Sequence, residues 1–167
     1  LRVPDAMNNL AAVPDELSDE QVLMCPDIMS TGLSGVERAN IRIGDTVAVF
    51  AQGPIGLCAT AGAKLSGATT VIGVDRLANR LEIARRMSAD HVVDSSHTEP
   101  VEEIMQLTGG RGVDVAIEAV VRDAPSIVGQ GGTTYDCLAA PSGPCRVVAA
   151  EAVSSAPWKS FEAVAPS

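Results

Sequence analysis

The residues whose types and spacing suggest chemistry begin just after Phe50. Ala51-Gln52-Gly53-Pro54-Ile55-Gly56 is a glycine turn between an apolar run, Thr46-Val-Ala-Val-Phe50, and an alanine-rich run, Leu57 to Leu65. A turn that opens a helix offers the helix's unpaired N–H groups to an anion, and two linked phosphates match that offer. Gly53 lets the backbone come close to a pyrophosphate, and Gly56 lets the helix pack tightly on the strand. The first position of the turn is Ala51 rather than glycine, so the pattern is weak taken alone. Its support is Val71-Ile72-Gly73-Val74-Asp75, an apolar run that ends in an acid nineteen residues past Gly56. A carboxylate there can accept both hydroxyls of an adenosine ribose. It would also repel a 2′-phosphate, which favours NAD over NADP. Arg76 works against that preference, because a guanidinium can pair with a phosphate. Asp27 and Thr31 are a second pair of interest. They are four apart, so a helix turns both to one face, although Asp27 after Pro26 also suits a plain helix start.

The elements that must position these residues alternate. Ser18-Asp19-Glu20-Gln21 is a capping-box pattern, Pro26 interrupts the helix it opens, and Asp27 to about Ala39 continues it. Gly32 and Gly35 in that segment predict close packing on a neighbour. The helix after the glycine turn runs to about Ser66 and stops at Gly67. Leu77 to Met87 is amphipathic, with Leu77, Leu81 and Ala84 on one stripe. His91 to Asp94 reads as a third strand, Val101 to Leu107 as a helix opened by Pro100, Val113 to Val120 as a fourth strand and Arg146 to Ala150 as a fifth. Strand–helix alternation of this kind implies an α/β fold, a doubly wound parallel sheet of Rossmann type with right-handed crossovers. Residues 121–144 suit loop better than helix, and the end of the chain has no trustworthy periodicity.

Bulk properties exclude several classes. The net charge of −9 gives no basic face for nucleic acid or an anionic membrane. No apolar run approaches the ~20 residues of a membrane span, and no secretion signal is visible. The four cysteines, Cys25, Cys58, Cys137 and Cys145, have no CxxC spacing, so reduced and mostly buried thiols in a cytoplasmic protein are expected. Aromatic residues are only 2% of the chain against 46% hydrophobic, so the core must be aliphatic and alanine-rich. Met24, Met29, Met87 and Met105 read as core filler, and His91 and His97 as strand-edge or surface residues. The chain opens on Leu1, which hints at a piece of something longer.

Met24-Cys25-Pro26-Asp27-Ile28-Met29-Ser30-Thr31-Gly32, set beside the glycine turn, Asp75 and Gly109-Gly110-Arg111-Gly112-Val113-Asp114, resembles the cofactor-binding part of zinc-dependent medium-chain alcohol dehydrogenases, especially the bacterial secondary-alcohol branch. The resemblance runs from Arg2 to about Val120. It implies that Asp27 is a ligand of the catalytic zinc and that Thr31 lies beside the nicotinamide ring. It implies diphosphate contacts at Gly53, Pro54, Ile55 and Gly56, ribose binding at Asp75, a basic residue near the adenosine end at Arg80, and a cofactor-flanking strand end at Ala119 and Val120. The remaining zinc ligands of that family lie in an N-terminal catalytic domain that would precede Leu1, and a zinc site needs three protein ligands. The expected organisation is therefore a catalytic-domain remnant and lead-in helix at 1–26, a dinucleotide-binding domain at 27–150 and an irregular tail at 151–167.

The leading expectation is the NAD-binding part of an enzyme that interconverts alcohols and ketones or aldehydes by hydride transfer, inactive as this piece. Zinc would belong to the full-length parent, the partner would be a small alcohol or carbonyl compound, and self-association through the cofactor domain is implied by the resemblance. The competing expectation is a truncated, non-catalytic nucleotide-binding or interaction module. A site for S-adenosylmethionine and a zinc-independent reductase are weaker rivals, because neither needs a carboxylate at position 27.

Overall fold

The structure, a computed structural model, describes residues 2–119 and 145–150. The expectations for Val120, Cys137, the segment 121–144 and the tail 151–167 fall outside the described residues. Five parallel strands form one sheet: β1 (Thr46–Phe50), β2 (Thr70–Asp75), β3 (His91–Asp94), β4 (Val115–Glu118) and β5 (Arg146–Ala149). They lie in the order β3-β2-β1-β4-β5. The chain steps outward from β1 to β3, then returns to the other side of β1 with β4. The direction reverses between β1 and β4, and a crevice opens outside the carboxyl ends of strands at such a point.

The helices follow from local rules. After α1 (Ala6–Asn9), the expected capping box opens α2 (Asp19–Val22): the Ser18 N–H donates to Gln21 Oε1 at 2.9 Å, and the Gln21 N–H donates to Ser18 Oγ at 3.4 Å. Pro26 has no N–H to continue the helix. The Met29 N–H reaches back instead to the Met24 carbonyl at 2.8 Å, one residue further than an α-helical bond. The result is a π-turn over Cys25–Met29. Helix α3 (Ser30–Ala39) follows it directly, and α4 (Pro54–Leu65), α5 (Ala78–Arg86) and α6 (Pro100–Leu107) connect the strands.

The sheet buries an aliphatic cluster on each face. Val47, Val49, Val71, Val115 and Ile117 meet Val36, Ala39, Ala59 and Ala63 of α3 and α4. Ala48, Phe50, Ile72, Val74 and Val93 meet Ile104 of α6 on the other face. Small residues replace aromatic bulk where helices touch. A Cβ on Gly32 would lie 2.8 Å from Cys58 Cβ and 2.8 Å from the Ile55 carbonyl, and one on Gly35 would lie 2.9 Å from Ala150 Cβ. The close packing expected of these two glycines is therefore present. Among the described residues no helix is long and apolar enough to cross a membrane.

Four details depart from expectation. Leu77 is the N-cap residue of α5 and 41% exposed, so the buried stripe is Leu81 and Ala84 without it. Strand β4 begins at Val115 because Asp114 exchanges two bonds with Thr46: its N–H donates to the Thr46 carbonyl at 2.9 Å and its carboxylate accepts the Thr46 N–H at 2.8 Å. Cys25 is exposed rather than buried, since the π-turn faces outward, and Cys58 and Cys145 are half-buried. Met29, on the same turn, is also exposed.

Lys64 at the end of α4 ties the helix to the sheet edge. Its ammonium donates to both oxygens of Asp90 at 2.8 and 2.7 Å and to the Thr69 carbonyl at 2.9 Å, while Asp90 also accepts the Val71 N–H at 2.7 Å. Burial works to raise the Asp90 carboxyl, but the bonds from Lys64 and Val71 and the lysine's charge outweigh it, and its pKa is lowered. A carboxyl depressed on folding stabilises the fold fully above its unfolded pKa and loses that contribution as pH falls through the folded value. The stability lost by Lys64→Met should accordingly be largest at neutral pH. It should shrink as pH falls below the ordinary carboxylate range of about 4 and vanish only in stronger acid, below the depressed folded value, as measured by urea melts from neutral pH downward.

Candidate functional site

The carboxyl ends of β1, β2 and β4 converge on the glycine turn. Ala51 continues the pairing of β1, its N–H donating to the Val74 carbonyl at 2.9 Å. It then turns into the left-handed region at φ 67°, a conformation that costs a residue with a Cβ about 1–2 kcal/mol. Alanine thus adopts the geometry that glycine usually supplies at the head of such a turn. Gly56 explains why the turn is so tight. A Cβ there would lie 1.8 Å from the Ala51 carbonyl oxygen and 3.4 Å from Ala119 Cβ. Gly53 is the opposite case. It caps α4 with extended backbone, and the nearest atom to a Cβ built on it is Arg80 Nη1 at 4.0 Å.

Helix α4 begins Gly53-Pro54-Ile55-Gly56, and Gly53 offers no side chain to cap it. The first intrahelical bond is from the Leu57 N–H to the Gly53 carbonyl at 2.9 Å. The N–H groups of Ile55 and Gly56 therefore have no intrahelical acceptor. Pro54 is exposed on the rim.

Asp75 is 2% exposed, and its carboxylate is held by the turn itself. Oδ2 accepts the Gln52 N–H at 2.7 Å; Oδ1 accepts the N–H groups of Arg76 at 2.8 Å and Leu77 at 2.9 Å. An ionised carboxylate has about four acceptor positions, so room remains for about one more donor. The Arg80 guanidinium lies 3.5 Å from Oδ2 and also borders Gly53. Arg76 points outward and is exposed.

The structure brings Gly53, Pro54, Ile55, Gly56, Asp75, Arg80 and Ala119 to one place. Asp27 and Thr31 form a separate pair on the π-turn and α3, an assembly pinned to α4 through Gly32. Thr31 is buried and its hydroxyl donates to Asp27 Oδ1 at 3.4 Å, so the shared face is real, while Asp27 is exposed. No three His, Cys, Asp or Glu side chains cluster for a metal among the described residues. Burial and then the neighbouring Cys25 raise the Cys58 thiol, and burial pushes Cys145 up to about 11. His91 and His97 are exposed.

The residue that sequence reasoning passed over is Gln52. Its side chain is fully buried beneath the turn, with Nε2 donating to the Val49 carbonyl at 2.9 Å and Oε1 accepting the Thr60 hydroxyl at 2.9 Å. The available signal was a polar amide within a turn otherwise made of small and apolar residues, with a threonine eight residues on in an alanine-rich helix.

A family model for zinc-binding dehydrogenases matches residues 54–137, half of the chain. The alcohol dehydrogenase of Cupriavidus necator is 69% identical over 118 residues, which cover 71% of this chain and 32% of that protein. The NADP-dependent isopropanol dehydrogenase of Thermoanaerobacter brockii is 43% identical over 136 residues, covering 78% and 39%. Among solved structures, alcohol dehydrogenase TADH from Thermus sp. ATN1 superposes with a TM-score of 0.73 at 34% identity, over 89% of this chain and 41% of that one. The chain thus spans about a third of the length of the curated relatives it matches.

The two glycines should respond differently to the same change. Gly56→Ala drives a methyl into backbone and should destabilise by roughly 3 kcal/mol or more. Gly53→Ala should stay within about 1 kcal/mol of the parent chain, because its conformation and surroundings admit a methyl. Ala51→Gly should stabilise by about 0.5–1 kcal/mol, since relief of the left-handed strain exceeds the added freedom of the unfolded chain. Thermal melts of the three variants rank them.

Proposed function

The chain belongs to the zinc-binding dehydrogenase family, and from that premise we propose that the glycine turn seats the pyrophosphate of a nicotinamide dinucleotide, with NAD preferred to NADP. One juxtaposition carries the reading: the open side of Gly53, at the start of α4 with its unpaired first-turn amides, borders the Arg80 guanidinium, which lies 3.5 Å from the buried Asp75 carboxylate held by the same turn. The amides meet the diphosphate, Asp75 takes a ribose hydroxyl, and the negative charge of Asp75 disfavours a 2′-phosphate. Arg80 lies at the adenosine end. Ala119 and Val120 flank the cofactor, and Thr31 orients the ring.

In this reading residues 27–150 are the dinucleotide-binding unit of a cytoplasmic oxidoreductase that interconverts alcohols and ketones or aldehydes. The lead-in 1–26 belongs to a catalytic domain, and 151–167 is a tail. Bound nicotinamide supplies the hydride acceptor or donor. Zinc does not fit the described residues as a complete site: Asp27 is one donor where three are needed. Asp27 is therefore proposed as a single ligand to a metal that other residues would complete, and no step is assigned to it. The wide exposure of Asp27 and of the neighbouring Leu23 and Met29 favours a second reading, a nucleotide-binding or interaction module without turnover of its own.

Titration calorimetry separates the readings. The chain should bind NAD with a measurable heat at millimolar cofactor, and silence there would remove the cofactor assignment. Chain supplied with NAD, zinc and a secondary alcohol should give no sustained NADH; steady production would show a complete active site and overturn the single-ligand role of Asp27.

A further inference from the structure

We propose that Gln52, fixed by Thr60, is the positioning residue that aims the Asp75 carboxylate at the 2′-hydroxyl of the adenosine ribose, an inference that rests on the cofactor reading above. Gln52 touches every element of the βαβ unit. Its Nε2 donates to Val49 at the end of β1 at 2.9 Å, and its Oε1 takes the hydroxyl of Thr60 on α4 at 2.9 Å. Its amide carbon lies where a Cβ on Gly73 of β2 would be only 3.2 Å away. An apolar side chain could fill that space with no orientation required of it. A buried amide cannot, because each unpaired end costs about 1–3 kcal/mol. Both ends are met only when the side chain folds back beneath the turn, which fixes the backbone of Gln52 and the direction of its N–H.

That N–H is the donor to Asp75 Oδ2 at 2.7 Å. Oδ1 is separately locked by Arg76 and Leu77, so the direction of Oδ2 is set by the Gln52 N–H at 2.7 Å, with the Arg80 guanidinium a looser neighbour at 3.5 Å. Without the Thr60 hydroxyl Oε1 loses its donor, the side chain no longer holds the backbone that follows the strained Ala51, and the carboxylate rotates away from the mouth. The pyrophosphate contacts at Ile55 and Gly56 lie on the helix side and are retained.

The test pairs two substitutions with two ligands. Thr60→Val keeps the shape and removes the hydroxyl; Thr60→Ser keeps the hydroxyl and removes the methyl. Each chain is titrated with NAD and with NAD lacking the 2′-hydroxyl of the adenosine ribose, and melted in parallel. The parent should prefer NAD by about 5-fold, one hydrogen bond's worth. Thr60→Val should reduce that preference to under about 2-fold, and Thr60→Ser should keep it despite a lower melting temperature. Should Thr60→Val not fold, Gln52→Leu carries the same expectation. An unchanged preference in the valine or leucine variant, an equal loss in the serine variant, or no preference in the parent would overturn the role of Gln52 while leaving NAD binding in place. A parent chain that binds neither ligand would overturn the cofactor reading together with it.

Discussion

The structure depends on one contact between backbone and backbone. The Ala51 carbonyl oxygen occupies the space that a side chain at position 56 would need, so the strand can hand the chain to the helix in a single tight turn. Two consequences follow from that approach. The helix starts directly above the sheet's carboxyl edge, which puts its unpaired amides at the point where strand order reverses. The turn is also too tight for an ordinary backbone at Ala51, which takes a left-handed conformation in spite of its methyl. The strain is held by bonds around it: Ala51 to Val74, Gln52 to Asp75, and the Gln52 side chain to Val49 and Thr60.

The same use of missing side chains recurs through one face of the sheet. Helices α3 and α4 meet where Gly32 lies against Cys58 and Ile55, and where Gly62 lies against Leu33 and Val36; Gly35 lies against Ala150 of the strand edge. A chain with 2% aromatic residues has few large groups with which to fill gaps. It brings backbones together instead, and close packing supplies the dispersion contacts that bulk would otherwise give. This arrangement joins the Asp27–Thr31 pair to the glycine turn, since α3 carries Thr31 and rests through Gly32 on the first turns of α4.

What the sequence revealed and what it hid divide along a physical line. The capping box at Ser18, the stop at Gly67, the strand ending in Asp75 and the five-strand alternation rest on local rules, in which a residue type and its neighbours decide the outcome. The tight approach at Gly56 was legible for the same reason. Three features were not. The π-turn follows from how Met29 reaches past Pro26 to Met24, and that bond competes with several others of similar strength. The exposure of Cys25 depends on which way that turn faces. The inward fold of Gln52 depends on partners at positions 49, 60 and 73, which converge only once the sheet and helix are assembled. Asp75 is intermediate. Its position could be read from spacing, but the three N–H groups that nearly fill its carboxylate could not.

The two groups of site residues differ in how far the surrounding protein completes them. Around the glycine turn the side chains of Gln52, Thr60 and Asp75 are buried and bonded, and among the described residues no buried side-chain nitrogen or oxygen lacks a partner. The geometry of that region is therefore a property of the βαβ unit, set by strand, turn and helix together. Asp27 is held by a single long bond from Thr31 on an exposed turn, and its carboxylate direction is weakly specified. A metal requires several donors fixed at once, whereas a diphosphate is met by amides that the helix has already aligned. The proposed dinucleotide seat can thus lie within this part of the fold, while a complete metal site needs donors beyond those clustered among the described residues.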